Sequence, residues 1–350
     1  MTSEAEILIR REGAAGVMIL NRPKALNALT HDMVRQISAA LTQWERDPAV
    51  TRVVIKGAGE RAFCAGGDIR VVHDLGRAGR HAEALEFWRD EYVMNRQIKR
   101  YPKPYIALID GIVMGGGVGV SLHGSHRVAG ERYNFAMPEV GIGFFPDVGG
   151  TYALPRLPFH SGSYLALTGQ RIGRADAIAL GLATHAVAGS DFAALEAELI
   201  AGGPVDATLA RFAAPAEPAP ILEHRDEIAQ IFALETVPAV LAALERLAPT
   251  SAYARATLAT IRAKSPTSVA LALEQMLRGV SLSFEDAMTL EMRIVTRIIH
   301  GEDFYEGVRA AILDKDQAPR WQPDRLEAID PAAIQRYFAP LPDDLTFPAA

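Results

Sequence analysis

Apolar and polar positions follow two rhythms in the first half of the chain. Val50–Ile55 and Tyr105–Ile109 (YIALI) are largely apolar runs of strand length, while Glu6–Arg10 and Val17–Leu20 read as short strands around the Gly13–Gly16 turn. Thr30–Trp44 repeats its apolar residues at helical spacing, with Thr30 placed as an N-cap, and Ala82–Lys99 predicts a long helix. The stretch KGAGERAFCAGGD predicts a loop. In IVMGGGVGVSLHG a glycine cluster precedes helical spacing, and Arg127–Ala129 and Tyr133–Met137 predict two more strands. From about Ser161 onward the pattern is mostly helical, over Phe192–Ile200, Pro238–Leu247, Ala252–Ala263, Ser268–Leu277 and Phe284–Ile299. Strands recurring between helices, then a helical tail, predict an α/β core with a helical C-terminal part. The proline-rich Ala214–Ile221 (APAEPAPI) marks a softer joint in that tail.

Three glycine-rich turns follow apolar strand candidates: Cys64–Asp68, Met114–Gly119 and Pro146–Gly150. Glycine permits positive φ and close backbone approach, and a strand–glycine–helix junction leaves N–H groups free to meet an anion or oxyanion. Taken singly, each turn is explained by tight turning or helix–strand packing. Two of them converging could hold a thioester oxygen by backbone donors. MGGGVG does not match the GxGxxG nucleotide fingerprint, and a P-loop lysine is missing.

Composition narrows the partners. With 49% hydrophobic and 22% charged residues in 350, the chain is expected to be a soluble globular protein of one large or two smaller domains. A net charge of -6 without a lysine- or arginine-rich run argues against nucleic acid. Cys64 is the only cysteine, so no intrachain disulfide and no multi-cysteine metal site can form. The start of the chain, MTSEAEILIRREG, has neither a signal-peptide core nor transit-peptide character, and no apolar run approaches the roughly 18 residues of a membrane helix. A cytoplasmic protein without a membrane contact is expected.

The stretch FAMPEVGIGFFPDVGG (Phe135–Gly150) sets Glu139 and Asp147 among apolar residues, glycines and prolines, with no lysine or arginine to neutralise them. Burying such acids is costly, so both are candidates for chemistry. On the residues alone, Glu139 could equally be a buried acid satisfied by backbone donors, and Asp147 could cap the turn before Val-Gly-Gly. Cys64 reads as a small buried residue. His123 and His126 match no HExxH metal site, and no GxSxG nucleophile elbow is present.

The blocks NRPKALNAL (Asn21–Leu29), AFCAGGDIR (Ala62–Arg70), KPYIALIDGIVMGGGVG (Lys103–Gly119) and FAMPEVGIGFFPDVGGTYALPRL (Phe135–Leu157) resemble the enoyl-CoA hydratase/isomerase, or crotonase, superfamily in order and spacing. GGDIR, FWRDEYVMN, the MPE…FPDVGG pair and Phe304–Pro323 are most similar to its branch of 3-hydroxyisobutyryl-CoA hydrolases, which extends the resemblance to nearly the whole chain. It implies a crotonase-like spiral of ββα turns over residues 1–205 and a helical C-terminal region over 206–350 packing on that core. It also implies an acyl-CoA substrate, of which coenzyme A is a part, no further cofactor or metal, and a possible homo-oligomer. The backbone N–H groups of Gly67 and Gly116 map onto the superfamily's oxyanion hole. Lys24, Ala25 and Leu26 map onto its CoA-contacting loop, Arg70 is a weaker CoA contact, and Glu91 is a third acid of the substrate pocket.

One departure changes the expected chemistry. Hydratases of the superfamily carry a glutamate three residues after the oxyanion glycine, and here that position is Gly119. Asp147 stands where hydratases commonly have glycine. The resemblance therefore implies thioester hydrolysis, with Glu139 as nucleophile or general base and Asp147 holding the β-hydroxyl of the acyl group. Hydration by Glu139 alone, or a catalytically silent acyl-CoA-binding protein, are the alternatives. Gly119 with Asp147 speaks against the first, and retention of Glu139, Gly67 and Gly116 against the second.

Overall fold

The computed structural model describes residues 5–347. The strands are β1 Ile7–Glu12, β2 Ala15–Leu20, β3 Arg52–Gly57, β4 Ala62–Cys64, β5 Tyr105–Ile109, β6 Ile112–Met114, β7 His126–Ala129, β8 Asn134–Ala136, β9 Ile172–Gly173 and β10 His185–Ala186. They form a six-stranded sheet, β1-β2-β3-β5-β7-β10, and a four-stranded sheet, β4-β6-β8-β9. β1 runs antiparallel to β2 and the remaining neighbours of the large sheet are parallel. Each of the pairs β3-β4, β5-β6 and β7-β8 gives its first strand to the large sheet and its second to the small one before the chain turns helical. This repeat is the crotonase-like spiral of ββα turns, and a helical C-terminal region follows it.

Register explains the central runs. Val17 pairs with Val54 and Val54 with Ile106, a row of fully buried side chains across the large sheet. That row packs with Leu195, Leu199 and Leu209 of the helices Phe192–Ala201 and Val205–Arg211. Ile55 and Ala107, on the opposite face, are also buried, as parallel strands covered on both sides require. The helix His31–Arg46 starts where expected, with the Thr30 hydroxyl accepting from Met33 N–H.

The chain divides into two compact units made of interleaved segments. The first comprises the chain up to Asp68, Val93–Phe135 and Ile172–Pro220. The second comprises Ile69–Tyr92, Ala136–Arg171 and the chain from Ile221 on. Neither coincides with a single span such as 1–205 or 206–350, whose ends (residues 1–4 and 348–350) lie outside the described residues. In the second unit the helices Val237–Leu247, Ala252–Arg262, Pro266–Gly279 and Phe284–Ile298 share one starting device. Thr236, Ser251, Ser265 and Ser283 each accept the N–H of the residue three positions on.

The stretch expected as a loop before Asp68 contains β4, and the helix Ile69–Arg77 follows it. Three residues carry too little periodicity to announce a strand, and pairing with β6 decides the matter. Among the described residues no helix is long and apolar enough to cross a membrane.

Candidate active site

Two of the expected site features are built in the first unit. The NRPKALNAL loop turns on Leu26 (φ 51) and Asn27 (φ 57), both in the left-handed region that asparagine tolerates best. The buried Asn27 side chain donates to Ala58 O and Ala62 O, at 2.9 Å each, and accepts Arg22 N–H at 2.9 Å. The Arg22 guanidinium reaches Ala28 O at 2.7 Å, Asp68 Oδ2 at 2.9 Å and Glu6 Oε1 at 3.1 Å. A buried amide and a three-way guanidinium therefore hold this loop against the turn after β4. Lys24 and Ala25 stay exposed and Leu26 half-buried, available to a ligand running along the loop.

Parallel pairing of β4 with β6 sets the turns that carry Gly67 and Gly116 side by side. Each of the two follows a glycine at positive φ, Gly66 at 126° and Gly115 at 46°, where a side chain would be strained. In the bridge between Leu29 and Gly67 the donors are Leu29 N–H and Asp68 N–H, so the Gly67 N–H lies outside the ladder. Gly116 opens a short helix, Gly116–Gly119, where the first N–H groups lack intrahelical partners. Gly119 is buried at the end of that helix and supplies no acid. Cys64 is buried with its thiol on Gly66 O at 3.4 Å, a packing role.

The acids are gathered in the second unit. Glu139 opens the 3-10 turn Glu139–Ile142, Asp147 precedes the Gly150–Ala153 helix, and Glu91 comes from the helix His81–Lys99. Relative exposures are 6% for Glu139, 5% for Asp147 and 2% for Glu91, and among the described residues none of the three is in an ion pair. Tyr92, fully buried, donates its hydroxyl to Asp147 Oδ2 at 3.0 Å. Glu139 Oε2 and Glu91 Oε1 are buried without a hydrogen-bond partner among the described residues.

Burial is the main cause of every shift in this group. It lifts the Glu139 carboxyl well above the ordinary range, with the Asp147 charge adding to it. Burial, then Asp147 and Glu291, does the same to Glu91. Asp147 is pushed up to about 7 by burial, with the Tyr92 hydrogen bond holding it lower than burial alone would. Trp88 stacks on Phe144 at 5.5 Å between ring centroids, and Phe145 and Phe304 lie beside Phe144 at 4.6 and 5.6 Å. Phe144 and Phe145 belong to a buried stretch, Gly143–Pro146, that leads to Asp147, while Gly141 and Ile142 are half-buried.

Arg70 lies exposed on the helix Ile69–Arg77. His126 bonds Ser125 Oγ at 2.8 Å and Asp206 at 2.9 Å, and among the described residues no group of three or more His, Cys, Asp or Glu has the geometry to hold a metal ion. Sequence reasoning missed Tyr92 and Glu291. Tyr92 adjoins Glu91 but shows no signal of its own. Glu291 did leave one: it interrupts a helical stripe of Ala287, Met288, Ile294 and Val295, all of them, like Glu291 itself, fully buried.

An enoyl-CoA hydratase/isomerase family model matches residues 15–338. The mitochondrial 3-hydroxyisobutyryl-CoA hydrolase of Xenopus tropicalis is 45% identical over 97% of this chain and 90% of its own. The human protein of the same name is 43% identical over 98% and 91%. A solved structure described as a carnitinyl-CoA dehydratase from Mycobacterium thermoresistibile superposes with a TM-score of 0.94 at 42% identity, covering 99% of this chain and 100% of the other. One described as an enoyl-CoA hydratase from Rhodobacter sphaeroides gives 0.90 at 44% identity over 98% and 100%.

The expectation of a cytoplasmic location is overturned here, because these hydrolase relatives are mitochondrial proteins by name. It rested on a single cysteine and on the first residues, and a lack of disulfides does not tell one compartment from another. A family model spanning most of the chain, with relatives similar over nearly their full length, shows that the chain belongs to the enoyl-CoA hydratase/isomerase family.

Proposed function

We propose that the protein hydrolyses the thioester of 3-hydroxyisobutyryl-CoA, and of 3-hydroxypropionyl-CoA, to the free hydroxy acid and CoA, a step of valine breakdown. The observation that carries this reading is a pair of buried acids, Glu139 and Asp147, in no ion pair among the described residues, in a chain with glycine at 119. The names of the hydrolase relatives support it.

In this reading the thioester oxygen accepts from the backbone N–H groups of Gly67 and Gly116, which stabilise the negative charge as C1 becomes tetrahedral. Glu139, ionised, either attacks C1 to give a mixed anhydride that water then opens, or takes a proton from water as it attacks C1. Both routes break the C–S bond and release CoA as a thiolate that takes up a proton. Asp147, held by Tyr92, accepts from the β-hydroxyl and rejects acyl groups that would leave it unpaired. Glu91 completes the acyl pocket, and Lys24, Ala25, Leu26 and Arg70 contact the CoA moiety. Coenzyme A enters as part of the substrate, so dialysis against a chelator should leave turnover unchanged. A homo-oligomer fits the family, and light scattering tests it.

The solved structures described as a dehydratase and a hydratase favour a second reading, hydration by Glu139 alone. Following free thiol from 3-hydroxyisobutyryl-CoA beside loss of crotonyl-CoA absorbance separates the two. Thiol release without crotonyl-CoA hydration supports the hydrolase, and the reverse result removes it.

A further inference from the structure

We propose that Glu291 is a positioning residue for Asp147, clamping the turn that carries it from the far side. The proposal rests on the reading that Asp147 orients the substrate hydroxyl. Glu291 lies in the helix Phe284–Ile298 and is fully buried. Its Oε2 accepts Gly149 N–H at 2.9 Å and its Oε1 accepts Thr151 N–H at 3.0 Å. Both oxygens thus bind the backbone two and four residues after Asp147.

That backbone needs holding. Val148, next to Asp147, sits at φ 48, a conformation that a β-branched residue adopts only under constraint from its surroundings. A second buried side chain supplies more constraint. Gln275, in the helix Pro266–Gly279, donates Nε2 to Pro146 O at 3.0 Å and to Thr151 Oγ1 at 2.8 Å. The same helix touches the turn by backbone: a Cβ on Gly279 would fall 2.0 Å from Thr151 O. Asp147 is therefore bracketed, with Gln275 fastening the residue before it and Gln275 and Glu291 together fastening the residues after it. The tail helices hold the specificity residue beside the strained Val148.

The choice of an acid for the clamp follows from the donors. Two N–H groups aimed at one side chain need two acceptor oxygens, and glutamine offers one oxygen and an NH2 group that would oppose the second donor. A buried carboxylate is costly unless several donors compensate it. The bonds from Gly149 and Thr151 favour the ionised Glu291 carboxylate, opposing the burial and the Asp147 charge that raise its pKa.

The test compares kcat/KM for 3-hydroxyisobutyryl-CoA and isobutyryl-CoA in the parent, Asp147→Asn, Glu291→Gln and the double variant. Glu291→Gln should lower the hydroxylated-to-plain ratio about tenfold or more, since small displacements of a positioned group cost up to roughly 100-fold. On the Asp147→Asn background it should change the ratio little, because both act through one hydroxyl contact. A general structural role predicts equal losses on both substrates and full additivity, and either result would overturn the proposal. If Glu291→Gln does not fold, Gln275→Met is read instead: a smaller fall in the ratio is expected, and equal losses overturn the clamp. Should Asp147→Asn itself leave the ratio unchanged, the hydroxyl reading falls and the inference with it. If only Asp147→Asn lowers the ratio, the inference falls alone.

Discussion

Asp147→Asn should make the folded protein more stable, and increasingly so as pH rises. Asp147 is 5% exposed, has Tyr92 as its hydroxyl donor at 3.0 Å, and is lifted by burial from 3.8 to about 7. An acid whose folded value lies above its unfolded one holds more protons when folded, at every pH between the two. Stability is therefore lost as pH climbs from about 4 to about 7 and is not regained above, the reverse of an ion-paired aspartate. Asparagine has the same shape, accepts the same Tyr92 bond and does not titrate. At about 1.4 kcal/mol per pH unit, the raised value costs the parent about 2 kcal/mol at pH 5, where only the unfolded chain ionises Asp147, and about 4 kcal/mol at pH 8. Urea denaturation of both proteins at these two pH values should show the gap opening in favour of the variant by about 2 to 3 kcal/mol. Parallel curves would mean that Asp147 titrates alike folded and unfolded. A gap that closes with pH would mean an ionised, stabilised aspartate, and either outcome refutes the dry-pocket reasoning. The same substitution should cost activity on hydroxylated substrates, the trade expected of a strained functional site.

Three further outcomes follow from the same geometry. Glu139→Gln should cut thiol release by roughly 10²- to 10⁴-fold while calorimetric affinity for a CoA ester stays within a few fold; unchanged turnover would remove Glu139 from the chemistry. The acidic limb of kcat/KM against pH should lie well above the 4.5 of an ordinary glutamate, since Glu139 must be ionised to act and burial opposes that; a limb near 4.5 would contradict its dry setting. Tyr92→Phe removes the 3.0 Å bond that holds the Asp147 value down, so the Asp147 carboxyl should keep its proton to a higher pH. The variant should also lose about 1–3 kcal/mol in a urea titration at neutral pH, and an unchanged midpoint would deny the bond its role.

Much of the fold was legible because the pattern had a period. Tyr105–Ile109 is a strand over those same residues, and His31–Arg46 begins at its expected cap. β4 was not legible: three residues between glycine-rich stretches have no period, and only β6 beside them makes a strand. The acids at 139 and 147 stood out because nothing near them in the chain could neutralise them. Tyr92 did not, since one tyrosine in a helix is unremarkable until Asp147 is placed against its hydroxyl.

By itself the sequence determined which residue types were available and where local rules applied: apolar runs, N-caps, glycine turns, two acids in an apolar stretch, and glycine at 119. Local propensity reaches only a few positions along the chain, and these features are local. Tertiary structure alone decided what surrounds the acids. Glu291 lies 142 and 140 residues from the N–H groups it binds, and Gln275 lies 129 residues from Pro146. Contacts at such separations come from the packing of whole helices, which no window of sequence contains. Burial then raises the pKa of ordinary carboxylates, because the cost of a charge depends on what encloses it.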